Sequence, residues 1–129
     1  MLLRVSGDNP EPLYQQIINE IRRLILTGEL SPGDPLPSVR ELAQKLTTSV
    51  ITTRRAYLEL EREGLLTTRQ GLGTFVAKVD REALREAARR LAARLFARAL
   101  DEARSLCLED EEIRTIFNRV LQGGNEAPC

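Results

Sequence analysis

Leu13, Ile17, Ile21, Leu24 and Ile25 recur mostly three or four positions apart, the period of a helix with one apolar face. Pro12 suits the first position of that helix, where a missing N–H costs nothing. Gly28 is placed to close it in a left-handed cap. Residues 31–37, SPGDPLP, contain three prolines and a glycine, which predicts a tight connector and no helix. A second helix opens at Ser38, which forms a capping-box pattern with Glu41. Val39, Leu42, Ala43 and Leu46 supply its buried stripe. The polar run Thr47-Thr48-Ser49 breaks the pattern, and Ser49 is a good cap for a third helix. Thr53, Ala56, Tyr57 and Leu60 fall on one face of that helix, which Gly64 ends.

The pattern then changes period. Residues 66–68 and 74–76 are β-prone and flank a segment containing Gly71 and Gly73, which predicts a hairpin whose tip uses positive φ. From Asp80 onward the composition shifts to alanine, arginine, glutamate and leucine. Leu84, Ala88, Leu91, Leu95, Ala99, Ala103 and Leu106 advance by about 3.7 residues, close to the helical period. Asp80 can cap this long helix, and a last helix carries Ile113, Ile116, Phe117, Val120 and Leu121. Residues 1–11 read as a loose arm, and residues 125–129 as a frayed tail.

The expected fold is therefore mainly α with a small β-hairpin wing. It comprises a winged helix-turn-helix over residues 1–78 and a two-helix dimerisation tail over residues 79–129. A turn of about three residues makes the second and third helices cross steeply. With its apolar face buried, the third helix has its first turn free to enter a major groove. Val50, Ile51 and Arg54 lie there, with Arg55 to one side, where it reads as solvated or interfacial. The free N–H groups near Ser49 favour a phosphate. Arg40 lies one turn into the second helix, within reach of backbone or base edges. Arg69 can reach the minor groove or its phosphates, and Gly71 and Gly73 let the main chain approach closely. Tyr57, at helical spacing among apolar positions, reads as core.

Composition narrows the function. The chain has 129 residues, with 19 basic and 19 acidic side chains and no histidine. A zero net charge argues mildly against a nucleic-acid partner, but the distribution argues for one. Residues 40–55 carry Arg40, Lys45, Arg54 and Arg55 against the single acid Glu41, while acids gather at Glu59, Glu61 and Glu63 and at residues 109–112. Without histidine, and with only Cys107 and Cys129 as thiols, the chain offers neither an activated nucleophile nor a metal cluster. An enzyme is not expected, no cofactor or metal is implied, and both cysteines read as reduced. No apolar run approaches a membrane span and no secretory pattern opens the chain, so the expected location is the cytoplasm, with no membrane partner.

The stretch PLYQQIINEIRRLILTGELSPGDPLPSVRELAQKL resembles the opening of GntR-family DNA-binding domains, as do AYLELEREGLL and RQGLGTFV. The resemblance covers residues 12–77, in order and at the family's spacing. It implies a DNA-binding transcriptional regulator and places DNA contacts on Arg40 of the PSVRE segment, on Ser49 and Thr52, on Arg54 and on the wing glycine, Gly71. Ser38, Val50, Ile51, Arg69 and Gly73 complete the candidate interface with double-stranded DNA. The chain departs from the family in three places. Thr47-Thr48 stands where the turn usually has glycine and an apolar residue. Val50 and Ile51 replace frequent arginine, lysine, proline or asparagine, and can offer only contact with a thymine methyl. Thr53 replaces a usual valine.

The last 51 residues are too few for the large ligand-binding domains of most such regulators, and resemble the tail of YtrA-like members, which dimerise. That resemblance implies a homodimer on an inverted-repeat operator, repressing an operon that encodes a transporter. No effector is assigned. Leu84, Ala88, Leu91, Leu95, Phe96, Ala99, Leu100, Phe117 and Leu121 are the candidate dimerisation residues. The arginine strip at 85, 89, 90, 94 and 98 reads as a solvated or ion-paired face. The competing reading is a winged-helix module that binds protein without reading DNA sequence.

Overall fold

The computed structural model describes residues 1–123; the expected frayed tail at 125–129, and Cys129 with it, lies outside the described residues. The elements run α1 (Leu13–Leu26), α2 (Val39–Leu46), α3 (Val50–Arg62), β1 (Leu66–Arg69), β2 (Gly73–Val76), α4 (Arg81–Arg104) and α5 (Asp110–Leu121). This is the winged helix-turn-helix order, followed by two further helices. Contacts divide the chain into two compact units, the first Met1–Arg85 and the second beginning at Glu86 within α4.

In the first unit the expected apolar faces meet. Ile17, Ile21 and Ile25 from α1 pack with Leu42 from α2, with Ala56, Tyr57 and Leu60 from α3, and with Leu66 and Val76 of the hairpin. Thr53 is also fully buried. Its hydroxyl donates to the Ser49 carbonyl at 3.3 Å, so a polar side chain at a core position loses no hydrogen bond. Leu84 packs against this same core, which gives one candidate dimerisation residue a place in the first unit.

Three helix starts follow the local chemistry of the sequence. The Ser38 hydroxyl accepts from the Glu41 N–H at 3.1 Å and the Glu41 carboxylate accepts from the Ser38 N–H at 2.9 Å, completing the capping box. The Ser49 hydroxyl accepts from the Thr52 N–H at 3.0 Å, and the Asp80 carboxylate accepts from the Ala83 N–H at 2.7 Å. Pro12 sits one position earlier than expected, as the cap of α1.

Two segments are more ordered than their composition suggests. The arm before α1 is not loose. Leu3 and Val5 pack on the core, and the buried side chain of Gln16 accepts from the Ser6 N–H at 2.8 Å and donates to its carbonyl at 3.0 Å. The proline-rich connector is not merely a turn. Gly33 and Leu36 donate to the carbonyls of Val76 and Thr74, and Val76 donates back to Asp34, all at 2.8–2.9 Å. A β-bridge between Pro35 and Phe75 results. β2 is therefore bonded along both edges, to β1 on one side and to this strap on the other.

In the second unit the turn between α4 and α5 is held by Arg104, which donates twice to Asp110 at 3.1 Å. That hydrogen bonding and charge hold the Asp110 carboxyl below the usual carboxylate range. Phe96 and Phe117 meet edge to face, with ring centroids 5.7 Å apart. No residue of α4 or α5 is fully buried.

Candidate nucleic-acid interface

The interface is built around α3. A helix turns about 100° per residue, so burying Thr53, Ala56, Tyr57 and Leu60 puts Ile51 nearly opposite the core, with Arg54 on one flank and Arg55 on the other. Ile51 is 80% exposed, and both arginines are exposed. Val50 is half-buried. Thr52 is also half-buried, and its hydroxyl accepts from Ser49 at 2.8 Å, so these two residues at the head of α3 are already engaged with each other.

Tyr57 fixes α3 to the segment entering α2. Its phenol, buried among core residues, donates to the Pro37 carbonyl at 2.7 Å. Burial, and to a lesser degree the charge of Glu41, pushes that phenol well above its ordinary pKa, so it remains a donor. Ser38 and Arg40 follow at once in the chain, which ties their position to that of α3. Ser38 spends its hydroxyl on the helix cap, while Arg40 is exposed. Among the described residues, no ion pair engages Arg40, Arg54 or Arg55.

The turn between α2 and α3 carries a cost. Thr47 has φ 52° and ψ 51°, the left-handed region that a β-branched side chain rarely adopts. It gains two backbone hydrogen bonds to the end of α2. The wing tip lies at residues 70–72. Gly71 and Gly73 have φ of 79° and 121° and lie in open space with no neighbour against them. The guanidinium of Arg69 sits 5.5 Å from the centre of the Phe75 ring.

One contact is invisible to periodicity. The Arg55 guanidinium lies over the ring of Tyr14, 3.7 Å from its centre, although 41 positions separate the two residues. Tyr14 is part of the segment that carries the family resemblance, but nothing in the sequence pairs it with Arg55.

In the second unit, Phe96, Ala99, Leu100 and Phe117 line an apolar groove between α4 and α5, joined by Leu106 and Val120. Of the other candidate dimerisation residues, Ala88 and Leu91 are half-buried, while Leu95 and Leu121 are 53% and 72% exposed and lie outside the groove lining. No helix among the described residues is long and apolar enough to cross a membrane.

Comparison with known proteins gives a consistent set of matches. Residues 13–76 match the model of the bacterial regulatory proteins of the gntR family. The chain is 42% identical over 77 residues to the HTH-type transcriptional repressor YtrA of Bacillus subtilis, an alignment covering 60% of this chain and 59% of that repressor. The matched stretch thus spans little more than half the length of that relative. Among solved structures, YtrA from Sulfolobus acidocaldarius, a GntR-family transcription factor, superposes with a TM-score of 0.59 at 32% identity, covering 95% of this chain and 99% of that one. The DNA-binding domain of AraR in complex with operator ORX1 superposes with a TM-score of 0.53 at 38% identity, covering 58% of this chain and 96% of that domain.

Proposed function

The chain belongs to the GntR family of bacterial regulatory proteins and resembles its YtrA-like members; on that premise we propose that it is a cytoplasmic DNA-binding repressor acting as a homodimer on an inverted-repeat operator. Residues 1–78 form the reading head and residues 79–129 the dimerising tail. The observation that carries this reading is the outward ridge of α3, where Ile51 is 80% exposed between two arginines that no acid among the described residues neutralises. An isoleucine at the crest leaves the ridge able to meet a thymine methyl, and the cations alongside favour a polyanion. Two copies joined through the tail would present two such ridges to half-sites related by a two-fold axis. The controlled operon is proposed, from the YtrA-like resemblance, to encode a transporter.

The test is binding to the DNA upstream of the chain's own gene over a salt series. Affinity is expected to fall steeply with salt. Arg40→Ala and Arg54→Ala are each expected to lose about 1–3 kcal/mol where they contact a base. A response flat with salt would overturn the reading and leave the winged helix as a protein-binding module.

A further inference from the structure

We propose that Arg55 and Tyr14 together form a phosphate clamp, a contact to the DNA backbone on the side of α3 that faces α1. The inference rests on α3 lying in the major groove as proposed above.

Stacking on an aromatic face occupies the flat surface of a guanidinium and leaves its N–H edges free. At 3.7 Å from the ring centre, Arg55 is in that arrangement. No carboxylate is paired with it among the described residues, so its donors are available for an anion. Some other exposed arginines are spent on neighbouring acids: Arg62 pairs with Glu59 and Arg114 with Glu111.

Position supplies the second argument. Arg54 and Arg55 flank Ile51 on opposite sides of the outward ridge. When such a ridge points at base edges, its flanks face the two strands that wall the groove. Arg55 is on the flank turned toward α1, where Tyr14, half-buried at the start of that helix, holds it. An arginine already immobilised on a ring loses less rotamer freedom when a phosphate arrives. The ligand is the phosphodiester backbone and carries no sequence information. The clamp should therefore strengthen binding to any duplex.

The test uses the full chain with two probes, a short random-sequence duplex and the upstream DNA of its own gene. Arg55→Ala is expected to weaken both by a similar factor, about threefold to tenfold, and to reduce the slope of log K against log salt by about 1. Tyr14→Phe should behave as the parent. Tyr14→Leu keeps an apolar side chain against the core but removes the stack, and should weaken both duplexes several-fold with the slope retained. Thermal melting confirms that each variant is folded. If Arg55→Ala leaves affinity and slope unchanged while Arg54→Ala reduces binding, the clamp is overturned and the repressor reading stands. If no arginine variant alters binding to either duplex, both fail. If Tyr14→Leu matches the parent while Arg55→Ala loses affinity, Arg55 acts alone and the clamp as a pair is overturned.

Discussion

Arg22 of α1 and Glu63, the residue that closes α3, form a two-pronged ion pair in which Nε of Arg22 donates to Oε1 of Glu63 at 2.9 Å and a second guanidinium nitrogen donates to Oε2. Arg22 is buried, and its partner is half-buried. A bidentate pair fixes direction as well as distance, so it sets the tilt of α3 from the end opposite Ser49. Removing one partner leaves the other charge poorly solvated. Arg22→Ala is expected to cost about 2–4 kcal/mol, read from urea unfolding. The double variant Arg22→Met/Glu63→Gln should recover part of that loss. If the single variant unfolds at the parent's midpoint, the pair contributes nothing to stability.

Thr47 offers a stabilising change. Its left-handed backbone costs an L-residue roughly 1–2 kcal/mol, part of which glycine gives back as chain entropy. Thr47→Gly is expected to stabilise the protein by about 0.5–1 kcal/mol, seen as a higher melting temperature. An unchanged or lowered melting temperature would show that the threonine side chain compensates in another way.

Ile51 tests apolar readout. Because it is 80% exposed, Ile51→Ala should leave the melting temperature unchanged. If its side chain meets a thymine methyl, replacing thymine by deoxyuridine in the binding site should weaken the parent protein, while Ile51→Ala should be indifferent to the exchange. Equal sensitivity in both proteins removes the methyl contact from the account.

Self-association should depend on the tail groove. Phe96 and Phe117 are 58% and 43% exposed, so a charge at either position is tolerated by the single chain. Phe96→Glu or Phe117→Glu is expected to weaken a dimer by about 1.5–3 kcal/mol, the worth of one buried phenylalanine, and to shift light-scattering mass toward the monomer at low concentration. Circular dichroism should be unaltered. A parent protein that is monomeric at all concentrations refutes the dimer outright.

Acid should loosen the α2 cap. The Ser38 backbone N–H, its hydroxyl and, more weakly, Lys45 hold the Glu41 carboxyl below its ordinary value of 4.5. The folded state therefore binds this proton less readily than the unfolded one. The contribution is complete above 4.5 and disappears as pH falls through the lowered folded value. Glu41→Gln, which keeps an acceptor for Ser38, should flatten that acid limb when melting temperature is followed against pH. A limb of unchanged steepness would assign the acid sensitivity to other carboxylates.

The helices were legible because their information is local. Apolar spacing located α1 to α5, and single residues such as Ser38, Ser49, Asp80 and Gly28 marked where they begin and end. The buried face of α3 also followed from spacing, and with it the exposure of Ile51 and Arg54. What escaped the reading was long-range pairing. A run with three prolines announces a turn, yet Gly33 and Leu36 still have N–H groups to give, and β2 uses them. The arm before α1 carries no periodic signal, and it is held by Leu3 and Val5 on the core and by the buried Gln16 amide. Leu84 continues the stripe of α4 by spacing, but its neighbours belong to the first unit. The Arg55–Tyr14 stack joins two residues from separate helices, and no local rule connects them.

The strap beside β2 also bears on how copies of this protein meet. Between Gly33 and Leu36, whose N–H groups go to β2, the intervening positions are Asp34, with one N–H, and Pro35. The first turns back to the Ser31 carbonyl at 3.0 Å, and proline has none. A sheet margin that offers no free donors is a poor template for a foreign strand. Ribbon-to-ribbon stacking of crowded molecules along that margin is thus disfavoured.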